Sequence, residues 1–104
     1  MARIRSIKPE FFTSDQLAEC STNARLLFVA TWVFADDKGR HVFSPKRLKM
    51  EAFPADNFTT GDIETMLNQL WGVGLITVYE NNGRKYFSVN GWAHQKIDRP
   101  QPEK

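Results

Sequence analysis

Two runs rich in β-branched and aromatic residues, Leu75-Ile76-Thr77-Val78-Tyr79 and Lys85-Tyr86-Phe87-Ser88-Val89, stand on either side of Asn81-Asn82-Gly83. Asn and Gly tolerate the positive φ that a type I′ turn requires, so this segment predicts a tight antiparallel hairpin. Just upstream, Ile63, Met66, Leu67 and Leu70 recur at the i, i+3, i+4, i+7 spacing of an amphipathic helix. Thr59 and Asp62 form a capping box at its start. Gly72 and Gly74 end it, one of them in a left-handed C-cap conformation.

The earlier elements follow from similar signals. Ser44-Pro45 places an N-cap residue before a proline suited to the first helical position, which predicts a short helix from Lys46 to Ala52 that Pro54 ends. His41-Val42-Phe43, after a glycine turn, reads as a brief strand. From Ala24 to Ala35 the chain runs ARLLFVATWVFA, apolar nearly all the way round. Such a helix belongs at the centre of a domain, covered on most sides, or in a subunit interface. Ser21 or Thr22 caps it, and Asp36-Asp37-Lys38-Gly39-Arg40 stops it with turn chemistry. Thr13 and Gln16 pair as another capping box, opening a helix to about Cys20. Ile4 to Phe12, interrupted by Pro9, reads as an extended arm leading to a short helix.

At 104 residues and 41% hydrophobic, with three Trp, eight Phe and two Tyr, the chain has the apolar volume for one core and too little length for two. One domain over 1–93 is expected, followed by a tail or linker over 94–104 that has two prolines and no apolar residue after Ile97. A charged fraction of 25% with net charge +2 argues against disorder, while the overall field is too weak to demand a polyanionic partner. Arg3, Arg5 and Lys8 precede no apolar stretch of a signal peptide, and no apolar run approaches the ~20 residues of a membrane span. A cytoplasmic protein with no membrane partner is expected. Cys20 is alone, which excludes an intramolecular disulfide and a cysteine-based zinc site.

The order helix, helix, short strand, helix, helix, strand, turn, strand predicts an α+β winged helix-turn-helix. In it, helices pack on a small antiparallel β-sheet, and the C-terminal hairpin is the wing. The segments ARIRSIKPEFF, AECSTNARLLFVATW, FADDKGRHVFSPKRLKMEAFPAD and HQKIDRP also resemble the N-terminal winged-helix region of phage and prophage replication proteins, similar in organisation to DnaD-like replisome organisers. The resemblance spans nearly the whole chain. It implies a module of replication initiation in a bacterial host cell, binding DNA at an origin or other primosomal proteins.

In a helix-turn-helix the helix over 60–70 would read bases, yet its polar positions are Thr60, Asp62, Glu64, Thr65, Asn68 and Gln69, with no Lys or Arg. Asn68 and Gln69 are the residues that suit adenine. The cations cluster elsewhere: Arg3, Arg5 and Lys8 in the arm, Lys46, Arg47 and Lys49 with Ser44 on the short helix, Arg84 and Lys85 at the wing, and Lys96 and Arg99 in the tail. DNA, in duplex form, would therefore be held through its backbone, with modest sequence preference. Each cluster taken singly reads equally well as an ordinary solvated face.

A second reading makes the chain a protein-interaction or self-association module, favoured by the cation-free helix and by the content of Phe11, Phe12, Phe28, Trp32, Phe34, Trp71 and Trp92. Stacking on unpaired bases is a variant, limited because Tyr86 and Phe87 point to opposite faces of a strand. An enzyme is the weakest class. His41 and His94 are far apart, Cys20 has no nearby base, Asp36-Asp37 reads as a turn, and no phosphate loop or metal-ligand spacing exists. No cofactor is expected, and Glu51 and Asp56 need no role beyond solubility.

Overall fold

A computed structural model describes residues 2–91. The expected tail, with Lys96 and Arg99, lies outside the described residues, as do Trp92 and His94. Five helices pack on a three-stranded antiparallel sheet: α1 (Glu10–Thr13), α2 (Asp15–Ala18), α3 (Thr22–Phe34), β1 (Arg40–Val42), α4 (Pro45–Ala52), α5 (Thr60–Gly72), β2 (Ile76–Asn81) and β3 (Arg84–Val89). The strand order is β1-β3-β2, so the last strand is the central one.

Local chemistry accounts for most boundaries. The Ser21 hydroxyl accepts from the Ala24 N–H at 3.1 Å, and the Ser44 hydroxyl from the Arg47 N–H at 3.2 Å. The capping box of α5 is complete, with Asp62 N–H donating to Thr59 Oγ1 at 3.0 Å and Thr59 N–H to Asp62 Oδ2 at 2.9 Å. Of the two glycines at its end, Gly74 takes the left-handed conformation (φ +86°), while Leu75 N–H reaches back to the Leu70 carbonyl at 2.9 Å. The hairpin turn has positive φ at Asn82 (55°) and Gly83 (78°), as a type I′ turn requires.

The first cap falls one residue from its expected place. Ser14, with extended backbone, accepts from the Leu17 N–H at 3.3 Å, while the Thr13 hydroxyl turns back to the Glu10 carbonyl at the end of α1. Gln16 is not a capping partner at all. Its amide donates to the Val73 carbonyl at 2.6 Å, tying α2 to the end of α5. The brief first strand begins at Arg40, one residue ahead of its expected start.

One core holds the layers together. Leu27, Phe28 and Trp32 of α3 meet Ile63, Met66, Leu67 and Leu70 of α5, Leu48 of α4, and Ile76, Phe87 and Val89 of the sheet, all buried. Each fully buried Leu, Ile or Phe contributes about 1.5–3 kcal/mol of transfer free energy. The helix α3 is not covered all round, since Leu26 is 56% exposed.

The arm is built into this fold. Arg3 N–H donates to the Val33 carbonyl at 2.9 Å. The Arg5 side chain, 5% exposed, donates from Nε to the Trp32 carbonyl at 2.9 Å and from Nη2 to the carbonyls of Ala35 (3.2 Å) and Asp36 (3.3 Å), with Asp37 Oδ1 at 3.4 Å. A guanidinium fork thus satisfies the carbonyls that the end of α3 leaves unpaired, where a cation also suits the helix dipole. Replacing Arg5 with Ala is expected to lower the unfolding free energy by about 2–3 kcal/mol, because hydrogen bonds to a charged group are removed and buried carbonyls lose partners. Arg3→Ala, which removes the more exposed pair with Asp37, should cost less than about 1 kcal/mol. Urea titrations of the two variants measure the difference.

Candidate nucleic-acid interface

Period-two alternation divides the sheet into two chemistries. On the inner face His41, Phe87 and Val78 lie in one row across the three strands, with Val89 and Ile76 beside them. The outer face carries Arg40, Ser88 and Thr77 in one row, Val42, Tyr86 and Tyr79 in the next, and Arg84 and Asn81 at the tip. Burial follows the division: Phe87 is fully buried and its neighbour Tyr86 is half-buried.

Helix α4 is docked against the edge of this sheet by a carboxylate. Glu51 Oε1 lies 3.0 Å from His41 Nε2, and Glu51 Oε2 accepts from Arg47 Nε at 3.1 Å. The other ring nitrogen of His41 lies 2.7 Å from the Val42 carbonyl, and the ring stacks on Phe87 with centroids 5.5 Å apart. Glu51 is thus a bridging residue rather than a solubilising one. Its two oxygens tie α4 to β1 and hold Arg47 over the sheet.

The result is a hollow of about 460 Å³ on the outer face, where Arg40, Arg47 and Arg84 surround Tyr79, Tyr86 and Asn81. Asp36 also lines it; its Oδ2 accepts from Arg40 Nε at 2.9 Å, and its Oδ1 accepts the N–H groups of Lys38 and Arg40. Lys85 lies beyond the rim on the other parity of β3, its ammonium 4.5 Å from the centre of the Phe43 ring.

The expected site residues separate into groups. Lys46 and Arg47 of α4 and Arg84 and Lys85 of the hairpin are exposed. The hollow joins Arg47 to Arg84. Lys49 is turned the other way, its ammonium 3.4 Å from the Asp56 carbonyl. The Ser44 hydroxyl is occupied as the α4 cap. Arg5 is consumed by the end of α3, and Arg3 pairs with Asp37 at 3.2 Å, so in the arm only Lys8 extends an exposed cation without a described ion pair. Lys8 lines a separate, apolar hollow of about 370 Å³ with Phe11, Leu17, Phe28, Trp32 and Leu75.

On α5, Asn68 and Glu64 are exposed, but Asp62 serves the capping box and Gln69 Oε1 accepts the Ser21 N–H at 2.8 Å. Among the residues of the hollow that were not expected as binding residues are Arg40, Tyr86, Tyr79 and Asn81. The turn was the signal that identifies the last two, because an Asn82-Gly83 turn fixes Asn81 opposite Arg84 and Tyr79 opposite Tyr86.

Among the described residues no group of three or more His, Cys, Asp or Glu side chains is placed to hold a metal ion, and no helix is long and apolar enough to cross a membrane. Compared with family models, with curated proteins and with solved structures, the chain matches none.

Cys20 is buried away from the outer face, its Sγ 3.7 Å from the Gln16 carbonyl. Burial pushes its thiol up from the ordinary range, and the Arg25 guanidinium offsets this only in part. The thiolate is the reactive form, so a disulfide reagent at about pH 8 should label the native protein far more slowly than the urea-unfolded one. Because the folded value is raised, the associated stability is complete below the ordinary thiol range and is lost as pH rises through the raised value. Urea midpoints compared with those of Cys20→Ala across that range measure it.

Proposed function

We propose that this chain is a winged-helix nucleic-acid-binding module, and that its contacts run along α4 and the β2–β3 hairpin. The observation that carries the reading is the convergence of Arg47 from α4 with Arg40 and Arg84 from the sheet around one hollow, flanked by exposed Lys46 and Lys85. The order of elements and the β1-β3-β2 sheet support the winged-helix assignment, with the hairpin as the wing and α5 in the recognition-helix position. Phosphate contacts from arginine position a nucleic acid without reading sequence, which fits a recognition helix whose exposed polar groups include Glu64 and no cation. The sequence resemblance to phage and prophage replication proteins supports a role in replication initiation in a bacterial cytoplasm, with DNA and other replication proteins as partners.

A mobility-shift titration across salt tests the reading. Affinity should fall steeply with salt. Lys46→Ala and Arg84→Ala should each weaken binding and reduce the slope by about one unit for each phosphate the variant no longer holds. Lys49→Ala, whose ammonium is turned to the Asp56 carbonyl and lines no part of the hollow, should change both far less. Binding that is absent at low salt, or indifferent to salt, overturns the proposal.

One observation favours a second reading, in which α5 is a protein-facing surface. Trp71 is 45% exposed on that cation-free helix, and large aromatics anchor interfaces. On this reading light scattering shows mass rising with concentration, and Trp71→Ala returns the protein to a monomer.

A further inference from the structure

The outer face of the sheet carries two aromatic rings as well as charge. Tyr79 and Tyr86 are paired across β2 and β3, their ring centroids 5.8 Å apart and their planes 19° from parallel, and both remain half-exposed. The core does not account for them. The inner parity of the same strands supplies Phe87, Val89 and Ile76 to the packing, and the tyrosines lie on the other side. Both line the hollow, between the Arg40–Ser88 pair and the Arg84–Asn81 pair of the register. Arg40 stands beside one end of the pair, and Arg84 beside the other. Arg40 is opposite Ser88, and Arg84 lies four residues along β3, a separation of roughly 13 Å at about 3.3 Å per residue.

The arginines keep donors to offer. Asp36 takes the Nε–H of Arg40 and Glu51 that of Arg47, while the Nη groups of both make no hydrogen bond among the described residues, and Arg84 makes no ion pair there. Three guanidinium groups against two carboxylates leave the hollow positive.

The geometry points to this hollow as a site for an unpaired nucleic-acid strand, its bases stacking on the Tyr79–Tyr86 pair and its phosphates held by Arg40, Arg47 and Arg84. The inference rests on the nucleic-acid reading above and adds strandedness to it. An aromatic ring stacks on a base only where that base has a free face. Within a duplex both faces of each base are already occupied by its neighbours, so exposed rings flanked by arginines match a single strand and are of no use to a duplex backbone. An acidic peptide would satisfy the arginines and leave the tyrosine pair without a partner.

Fluorescence anisotropy with a labelled oligothymidylate and a labelled duplex of the same length, both at low salt, tests the assignment. Stacking contributes about 1–3 kcal/mol per base, so Tyr79→Ala and Tyr86→Ala should weaken oligothymidylate binding by roughly 5- to 150-fold. Tyr79→Phe and Tyr86→Phe, which keep the ring, should bind nearly as wild type, and no tyrosine variant should move duplex affinity by more than about twofold. Lys46→Ala, on the phosphate path but off the tyrosine pair, should weaken both probes.

The wild-type protein supplies a readout that does not depend on whether the alanine variants fold: oligothymidylate should shift the ring proton resonances of Tyr79 and Tyr86. Duplex binding with no oligothymidylate binding, equal losses on both probes in the alanine variants, or tyrosine resonances that do not move overturns this inference and leaves the broader reading standing. Tyrosine shifts on adding polyglutamate but not oligothymidylate overturn it in favour of an acidic protein partner. Binding to neither nucleic-acid probe overturns both proposals.

Discussion

The burial of Phe87 is the constraint on which the rest of the molecule depends. It lies at the middle of the central strand, fully buried, in contact with the ring of His41 and within the cluster that α3 and α5 complete. A strand side chain that enters the core sends its neighbours to the other face. Fixing Phe87 inward therefore fixes Arg84, Tyr86 and Ser88 outward, and through the pairing register it also fixes Arg40, Tyr79 and Asn81. Slipping the register by one residue would bury the arginine and tyrosine row and expose the phenylalanine, which the large apolar area of Phe87 opposes.

The same inner row connects sheet to helix. His41 is placed by its pairing with Phe87, and its ring reaches the Glu51 carboxylate, which in turn holds Arg47. A solvated surface arginine would wander among rotamers. Here the carboxylate that restrains Arg47 is itself held by a buried ring, so a core residue determines where a surface cation stands. The hollow is therefore preorganised by packing, and less ordering entropy opposes ligand binding.

Much of the architecture was legible in the chain. The Thr59–Asp62 box, the Ser44-Pro45 start and the Asn82-Gly83 turn depend on interactions within a few residues, so local chemistry decides them. The candidate site was legible only in part. Arg47 and Arg84 stood out as cations at the end of recognisable elements, but Arg5 carried the same signal and is spent on the carbonyls of α3. The difference lies in a contact across about thirty residues, which no local pattern carries. Glu51 was illegible for a similar reason: its role exists only once β1 is beside α4. Gln16, which reads in the sequence as a capping-box partner, and Gln69, which reads as a solvated or base-reading amide, likewise prove to be struts between α5 and the segments around α2.

By itself, then, the sequence determined the helices, the hairpin and its turn, and the absence of cations from the helix before it, because caps, turns and amphipathic periods act through neighbours a few residues away. Only the tertiary structure decided which cations face solvent and which serve the fold, and that Arg40, Arg47 and Arg84 meet around a tyrosine pair. The physical reason is that a charge on a long side chain takes its partner from whatever packing brings near. That partner is set by the burial of Phe87 and its neighbours, not by the residues beside the cation in the chain.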